Sequence, residues 1–267
     1  MFKLLKMRII LSTLLFLAFI LMIYVNYLSG IGSINDISAG GVSGKYPTLF
    51  TPAGFTFSIW GLIYLTGLIF VIRLIRDMFV KKEDNEGKHI AGLYILSCVL
   101  NISWIYSWHY DWIGVSVLLM IGLLFTLIML YRKVTQEAHG SIFSYLTLRT
   151  PISIYLGWIC IATVANISVW LTALNWDGRP LNGVFWSSLM LIIAALLNLF
   201  ILIKKRDIFF AMVYLWAAYG IIMARSGEMS EGNTWISGAA VGGMIMVFLG
   251  ILFARYIKVN KVHESAD

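Results

Sequence analysis

The chain has 267 residues, of which 60% are hydrophobic and only 12% are charged, and its formal net charge is +7. This composition, with a mean hydropathy of +0.86, excludes a soluble domain of this size. The apolar residues also form blocks long enough to cross a bilayer, which takes roughly 20 residues per helix. We therefore predict an integral membrane protein.

Eight apolar blocks follow one another along the chain. Each must be helical, because lipid offers no hydrogen-bond partner to an open backbone. The prediction is an all-α polytopic membrane bundle of about eight transmembrane helices with no soluble domain. The predicted spans are 8–29, 52–76, 89–109, 112–132, 148–174, 184–203, 207–225 and 234–257.

Basic residues predict the orientation of these spans. With both termini in the cytoplasm, only Lys45, Arg179 and Arg225 fall outside, and the other 17 of the 20 lie inside, as the positive-inside rule requires. The positive charge thus reports topology, and we expect no nucleic-acid partner. The inside residues are Lys3, Lys6, Arg8, Arg73, Arg76, Lys81, Lys82, Lys88, Arg132, Lys133, Arg149, Lys204, Lys205, Arg206, Arg255, Lys258 and Lys261.

The N-terminal block has two interpretations. The basic start MFKLLKMR is typical of a signal peptide, but the apolar run is long and no small-residue cleavage site closes it. We therefore expect an uncleaved first helix. The Gly/Ser-rich stretch 29–44 lies in the longest outer connection, and loops of this length between packed helices are more often functional than idle.

The sequence lacks the residues that several membrane-protein functions require. Charged side chains inside a membrane mark ion paths or catalysis, yet the acidic and basic residues lie near span ends. The histidines at 89, 109 and 139 lie at boundaries or in loops, and Cys98 and Cys160 lie within spans. A proton-coupled pump, an intramembrane metalloprotease and a retinal protein are therefore disfavoured. We expect no metal site, no disulfide and no catalytic residue.

Aromatic and amide side chains recur with one spacing in three spans. Steps of three and four place each set on one helix face. Counted from the outer ends of their helices, Trp60, Asn101 and Asn166 all lie about 12 Å deep, at 1.5 Å per residue. The three sets are Phe57, Trp60 and Tyr64; Asn101, Trp104 and Trp108; and Thr163, Asn166 and Trp170.

Two interpretations of these sets stay open on spacing alone. An intramembrane Asn can simply bond to a neighbouring helix, at about 0.6 kcal/mol on average. Tryptophans at span ends are commonly interface anchors, which accounts for Trp112, Trp176, Trp186 and Trp235. The alternative is an aromatic pocket with two amides for a ligand's polar edge, the usual make-up of a ligand site.

Three motifs resemble one known family. TPAGFTFSIWGLIY resembles the start of the second helix of the TspO/translocator proteins, also called tryptophan-rich sensory proteins. LNISWIYSW resembles their third helix, and YLGWICIATVANISVWLTALNW resembles their fifth. The motifs occur in the family's order and cover roughly residues 10–176. The family's Trp after the prolines is absent, Ser58 replaces a frequent second proline, and Ile105-Tyr106 replaces the usual Pro.

The resemblance implies a five-helix bundle with a pocket beneath the first loop, and ligands such as protoporphyrin, other tetrapyrroles or sterols. It places residues 1–176 in this bundle, 177–258 in an additional three-helix segment and 259–267 in a cytoplasmic tail. The tetrapyrrole would be a ligand, since we expect no cofactor. The implied ligand-binding residues, with the Trp108 of the spacing argument, are Trp60, Tyr64, Asn101, Trp104, Trp108, Trp158, Thr163, Asn166 and Trp170.

The leading hypothesis is a receptor or sensor for a flat hydrophobic ligand in a bacterial plasma membrane. The main alternative is a transporter or permease component for a small hydrophobic solute, with Tyr214, Trp216 and Tyr219 on its path. A tetrapyrrole-degrading enzyme is a minority hypothesis. Besides the ligand and the bilayer, we expect a second copy or another helix to pack on Gly238 and Gly242, a small-residue face of the last span.

Overall fold

A computed structural model describes residues 2–80, 85–138, 141–227 and 230–263, with side chains from Leu5 to Ala254. Lys81, Lys82, His139 and residues 264–267 of the predicted tail lie outside the described residues, as do the side chains of Lys3, Arg255, Lys258 and Lys261. Within the described ranges the fold is all-helical, with no strand.

The described helices are numbered in chain order. They are α1 (Phe2–Gly30), α2 (Ala39–Lys45), α3 (Ile59–Val80), α4 (Asn85–His109), α5 (Ile113–Glu137), α6 (Ile142–Ser144), α7 (Thr150–Ala173), α8 (Gly183–Lys205), α9 (Ile208–Arg225) and α10 (Glu231–His263). A 3₁₀ turn, Gly54–Ser58, precedes α3, and a π-helical turn, Tyr145–Arg149, joins α6 to α7.

Eight helical runs of the described chain are long and apolar enough to cross a membrane, which confirms the predicted number of spans. The second run is Gly54–Val80 and the fifth is Ile142–Ala173. The fifth therefore begins six residues before the predicted 148, because the chain continues as α6 and the π-helical turn.

The π-helical turn places a charged group inside this fifth run. Arg149 is almost fully buried, and its guanidinium lies 5.6 Å from the ring centroid of Tyr131 and 5.1 Å from that of Tyr145. It also donates a hydrogen bond of 3.0 Å to the Tyr131 hydroxyl. Aromatic faces and a hydroxyl thus compensate a cation that would be costly in lipid.

The chain divides into two compact units. The first consists of the residues up to Pro47 together with Ser58–Ala173. In it α4 packs on α1 and α5, α7 packs on α5 and α3, and α2 lies against α4. Its core includes Phe19, Phe70, Tyr94, Tyr155 and Trp158, all buried.

The second unit consists of Thr48–Phe57 and the chain from Leu174 onward. Its helices α8, α9 and α10 pack against each other in all three pairs. Side-chain caps begin two of them, with the Asn182 carbonyl accepting from Phe185 N at 2.9 Å and the Asp207 carboxylate accepting from Phe210 N at 3.1 Å. The sequence did not predict that part of the first loop belongs here.

Candidate functional site

Four aromatic rings of α3 and α7 meet in the first unit. Trp60 and Tyr64, one helical turn apart on α3, stack with ring centroids 5.8 Å apart. Tyr155 and Trp158 of α7 present their rings nearly edge-on to Trp60 at 5.9 and 6.5 Å. Both geometries are ones that aromatic pairs favour. We call these four residues the aromatic wall.

An amide pair joins α1 to α4. Asn26 Nδ2 donates to the backbone carbonyl of Met22 at 2.8 Å and to Asn101 Oδ1 at 2.7 Å. Since the Met22 carbonyl can only accept, it fixes the orientation of Asn26, which in turn fixes that of Asn101. Asn101 Nδ2 therefore keeps its two N–H donors for another partner.

Those donors are enclosed next to the aromatic wall. Asn101 is fully buried, and its Nδ2 atom makes no hydrogen bond within the described part of the chain. The Asn101 side chain lies beside the Tyr155 hydroxyl, which is also buried and has no hydrogen-bond partner in the described part of the chain. Buried polar groups normally have partners, so this spot suits a polar atom supplied from elsewhere.

A second network ties α4, α5 and α7 together. Trp104 Nε1 donates to Asn166 Oδ1 at 3.0 Å, and Asn166 Nδ2 donates to Ser116 Oγ at 2.9 Å. The Ser116 hydroxyl donates to the carbonyl of Ile113 at 2.7 Å. Asn166 is thus engaged at both ends, and its main effect is to hold Trp104 in place.

The short helix α2 covers one end of this network. Trp108, which stacks on Trp104 at 5.9 Å, donates from Nε1 to the carbonyl of Ala39 at 3.0 Å. Val42 of α2 is buried in a cluster with Trp108, Ile113 and Val169. Helix α2 therefore closes this end of the first unit.

A polar contact fastens the same helix at the surface. Lys45 Nζ pairs with Asp111 Oδ2 at 2.7 Å, and the Tyr46 hydroxyl donates to Asp111 Oδ1 at 3.4 Å. Partial burial, and then the Asp111 carboxylate, raise the pKa of Tyr46, so its hydroxyl stays protonated at neutral pH. Because this pair is well exposed, we expect it to contribute little on its own.

The remaining two predicted residues, Thr163 and Trp170, lie in different environments from each other. The Thr163 hydroxyl donates within its own helix to the carbonyl of Ile159 at 2.7 Å. Trp170 is 37% exposed, and its indole lies so close to Gly114 that a Cβ there would be 3.3 Å from Nε1. Trp60, Tyr64 and Trp158 thus form one group and Trp104, Trp108 and Asn166 another. Asn101 and Trp104, three residues apart on α4, join the two groups.

The sequence matches the family model described as TSPO-like protein over residues 12–253. The chain belongs to the TSPO-like protein family. The match extends into α10, farther than the 10–176 that the motifs cover, so it includes all or most of each of the eight spans of this TSPO-like protein. No curated protein and no solved structure gives a significant match.

Three residues of these networks in the TSPO-like protein were not predicted from the sequence. Asn26 carried a usable signal, since a lone amide in the apolar run IYVNYL needs a partner inside the membrane. Tyr155 and Ser116 carried none, because Tyr and Ser are ordinary in spans. In the described ranges, no three His, Cys, Asp or Glu side chains are grouped so that they could hold a metal ion.

Proposed function

We propose that this TSPO-like membrane protein is a receptor or sensor that binds a flat hydrophobic ligand from the outer side. A porphyrin or another tetrapyrrole fits best, with sterol-like molecules as the second class. The observation that carries the proposal is the aromatic wall beside the uncommitted donors of Asn101. A flat ring system would stack on Trp60 and Tyr64 while its carbonyl or carboxylate edge accepts from Asn101 Nδ2.

The energetics of this arrangement are sufficient for useful affinity. Aromatic pairs contribute about 0.5–1.5 kcal/mol each beyond area burial. A hydrogen bond that satisfies a buried donor adds about 1 kcal/mol, and burial of the ligand's apolar faces adds the rest. Micromolar binding, about 8 kcal/mol, is therefore within reach.

The other residues support the wall. Trp104, Trp108 and Asn166 form a hydrogen-bonded frame under α2, so they keep α4 and α7 in register. Thr163 and Trp170 lie on the same helix as Trp158 and extend the site along α7. We infer binding and not catalysis, because the proposed site pairs rings with an amide and contains no acid–base pair.

The test is a titration of the purified protein in nanodiscs with protoporphyrin, followed by the Soret band and by tryptophan quenching. We expect saturable binding that is weakened about tenfold by Asn101→Leu and by Trp60→Phe. Asn198→Leu is the matched control for the first variant, since Asn198 is also a buried intramembrane amide with one unpartnered atom, but on α8. Trp112→Phe, at a ring 60% exposed, is the control for the second.

Equal binding in the wild type and both site variants would overturn the proposal. The thermal midpoint of each variant, measured without ligand, separates a lost contact from a lost fold. A ligand that binds only the folded protein also raises this midpoint in a concentration-dependent way.

The transport hypothesis has less support. Of its three expected path residues, Tyr214 donates to the carbonyl of Leu191 and Trp216 donates to that of Thr56, so both already serve packing. Protoporphyrin flux in proteoliposomes would favour a transporter. Protein-dependent bleaching of the bound porphyrin under light and oxygen would favour the enzyme hypothesis.

A further inference from the structure

Residues Thr48–Phe57, which we call the strap, are fastened to α9 through main-chain groups. Ala53 N donates to the carbonyl of Gly220 at 2.9 Å. Trp216 Nε1, one turn earlier on α9, donates to the carbonyl of Thr56 at 2.9 Å. Both bonds satisfy backbone groups of the strap, so the contact fixes its path and not only its side chains.

A glycine notch makes this close approach possible. Thr56 is fully buried against Gly220, where an added Cβ would overlap Thr56 Oγ1 and lie 2.8 Å from its Cγ2 atom. The ring of Phe55 then lies edge-on to Trp216 at 5.6 Å and to Tyr219 at 5.8 Å. The strap is therefore held in one position on α9 by the notch, the two hydrogen bonds and the aromatic contacts.

The strap is continuous with the helix that carries part of the proposed site. The 3₁₀ turn Gly54–Ser58 runs directly into α3, and the two form one helical run, Gly54–Val80. Trp60 lies only four residues after Thr56. A helical connection this short transmits a displacement of the strap to the first turn of α3, because the backbone has few soft torsions to absorb it.

We propose that Gly220 and Trp216 of α9 are positioning residues that set the first turn of α3. Through the strap, the three C-terminal helices regulate the ligand affinity of the proposed site. The affinity part of this inference rests on the proposed function, whereas the control of α3 does not. The coupling expected for such a device is about five- to tenfold in affinity.

The first test follows backbone amide exchange without ligand. Gly220→Ala fills the notch, and Gly92→Ala is its control, because Gly92 is also within a helix but has open space at its Cβ position. We expect about tenfold faster exchange in 48–57 and also in 59–65 for Gly220→Ala only. The double variant Thr56→Ala/Gly220→Ala, which removes the overlapping Oγ1 and Cγ2 atoms, is expected to restore most of the protection.

The second test measures protoporphyrin affinity. Trp216→Phe removes the donor to Thr56 and keeps a ring for Phe55, and Trp235→Phe, at an exposed ring on α10, is its control. We expect about fivefold weaker binding for Trp216→Phe and for Gly220→Ala. The controls should bind as the wild type does, and the double variant should recover most of the affinity.

The outcomes separate this inference from the proposed function. Faster exchange confined to 48–57, with 59–65 unchanged, overturns the inference, and so does unchanged exchange in both segments. If the wild type binds no protoporphyrin, the proposed function fails, and the exchange data alone still decide whether α9 controls α3.

Discussion

In the proposed site, the orientation of the Asn101 amide is set by Asn26. The Met22 carbonyl holds Asn26 Nδ2, and Asn26 Nδ2 in turn holds Asn101 Oδ1. Without this relay, the Asn101 amide could turn its oxygen toward the aromatic wall and present an acceptor. If the proposed function is right, Asn26 therefore determines which polar edge of a ligand the site accepts.

A double-mutant cycle tests this relay. Asn26→Leu leaves Asn101 Oδ1 without its donor, so we expect a loss of roughly 1–2 kcal/mol in the free energy of unfolding. Asn101→Leu should cost a similar amount, and the double variant clearly less than the two losses added together. The measurement is denaturant unfolding in detergent micelles. Losses that add within about 0.5 kcal/mol would show that the two amides are independent.

Part of this residue-level picture could be predicted from the sequence. The shared spacing placed Asn101 and Trp104 on one face of the third span and Asn166 on a face of the fifth, and Trp104 and Asn166 are hydrogen-bonded. The partners Ser116 and Tyr155 could not be predicted, because which helices neighbour each other depends on packing that periodicity does not encode. His109 was expected at a span boundary, yet it is fully buried. This burial also depends on tertiary packing, since the loop residue Asn35 donates to the His109 carbonyl at 2.8 Å.

At the level of elements, α2 forms against its own sequence propensity. Its sequence AGGVSGK contains three glycines, each of which costs about 1 kcal/mol relative to alanine in a helix. Two features compensate. Ser38 Oγ caps the helix by accepting from Gly41 N at 3.1 Å, and Val42 is fully buried. Sequence patterns alone showed only a Gly/Ser-rich connection here, because these stabilising contacts are tertiary.

Two substitutions in α2 should therefore act in opposite directions. Gly44→Ala meets open space and raises helix propensity, so we expect about fivefold slower amide exchange in 39–46. Val42→Ala removes two buried methyl groups, worth about 1.6 kcal/mol, and should speed the same exchange by about tenfold or more. Exchange that responds to neither change would mean that α2 is held by the Lys45–Asp111 contact instead.

At the level of the whole molecule, the sequence predicted all eight spans because their apolar blocks are long and their breaks are polar. It did not predict the division into two units, in which ten loop residues belong with helices more than a hundred residues later. Backbone contacts such as Ala53 to Gly220 leave no periodic signal in a sequence. The orientation expected from the basic residues stays a prediction.

Cysteine labelling checks that orientation. Ser43→Cys in α2 should react with an impermeant maleimide added to intact cells, and Ser141→Cys before α6 only after permeabilisation. The two native thiols give a low background, since Cys98 is buried and Cys160 partly so. The reverse pattern of labelling would invert the topology.

The homodimer expected through Gly238 and Gly242 also stays a prediction. Both glycines face open space, whereas a Cβ on the adjacent Gly243 would overlap the hydroxyl of Tyr214. We expect Gly242→Leu to abolish self-association in liposomes, measured by energy transfer between labelled copies, while the fold is kept. Gly243→Leu should instead lower the thermal midpoint. Unchanged energy transfer in Gly242→Leu would exclude this face as the contact.

The contact of Thr48–Phe57 with α9 also limits how far the polypeptide can be truncated from its C-terminus. A fragment ending at Ala173 would contain every residue of the proposed site, yet it would leave the Ala53 N–H and the Thr56 carbonyl without their acceptor and donor. It would also expose the ring of Phe55 and the side chain of Thr56. We therefore expect that residues 174–267 cannot be deleted without loss, because the turn that leads into the second span would lose its packing and hydrogen-bond partners.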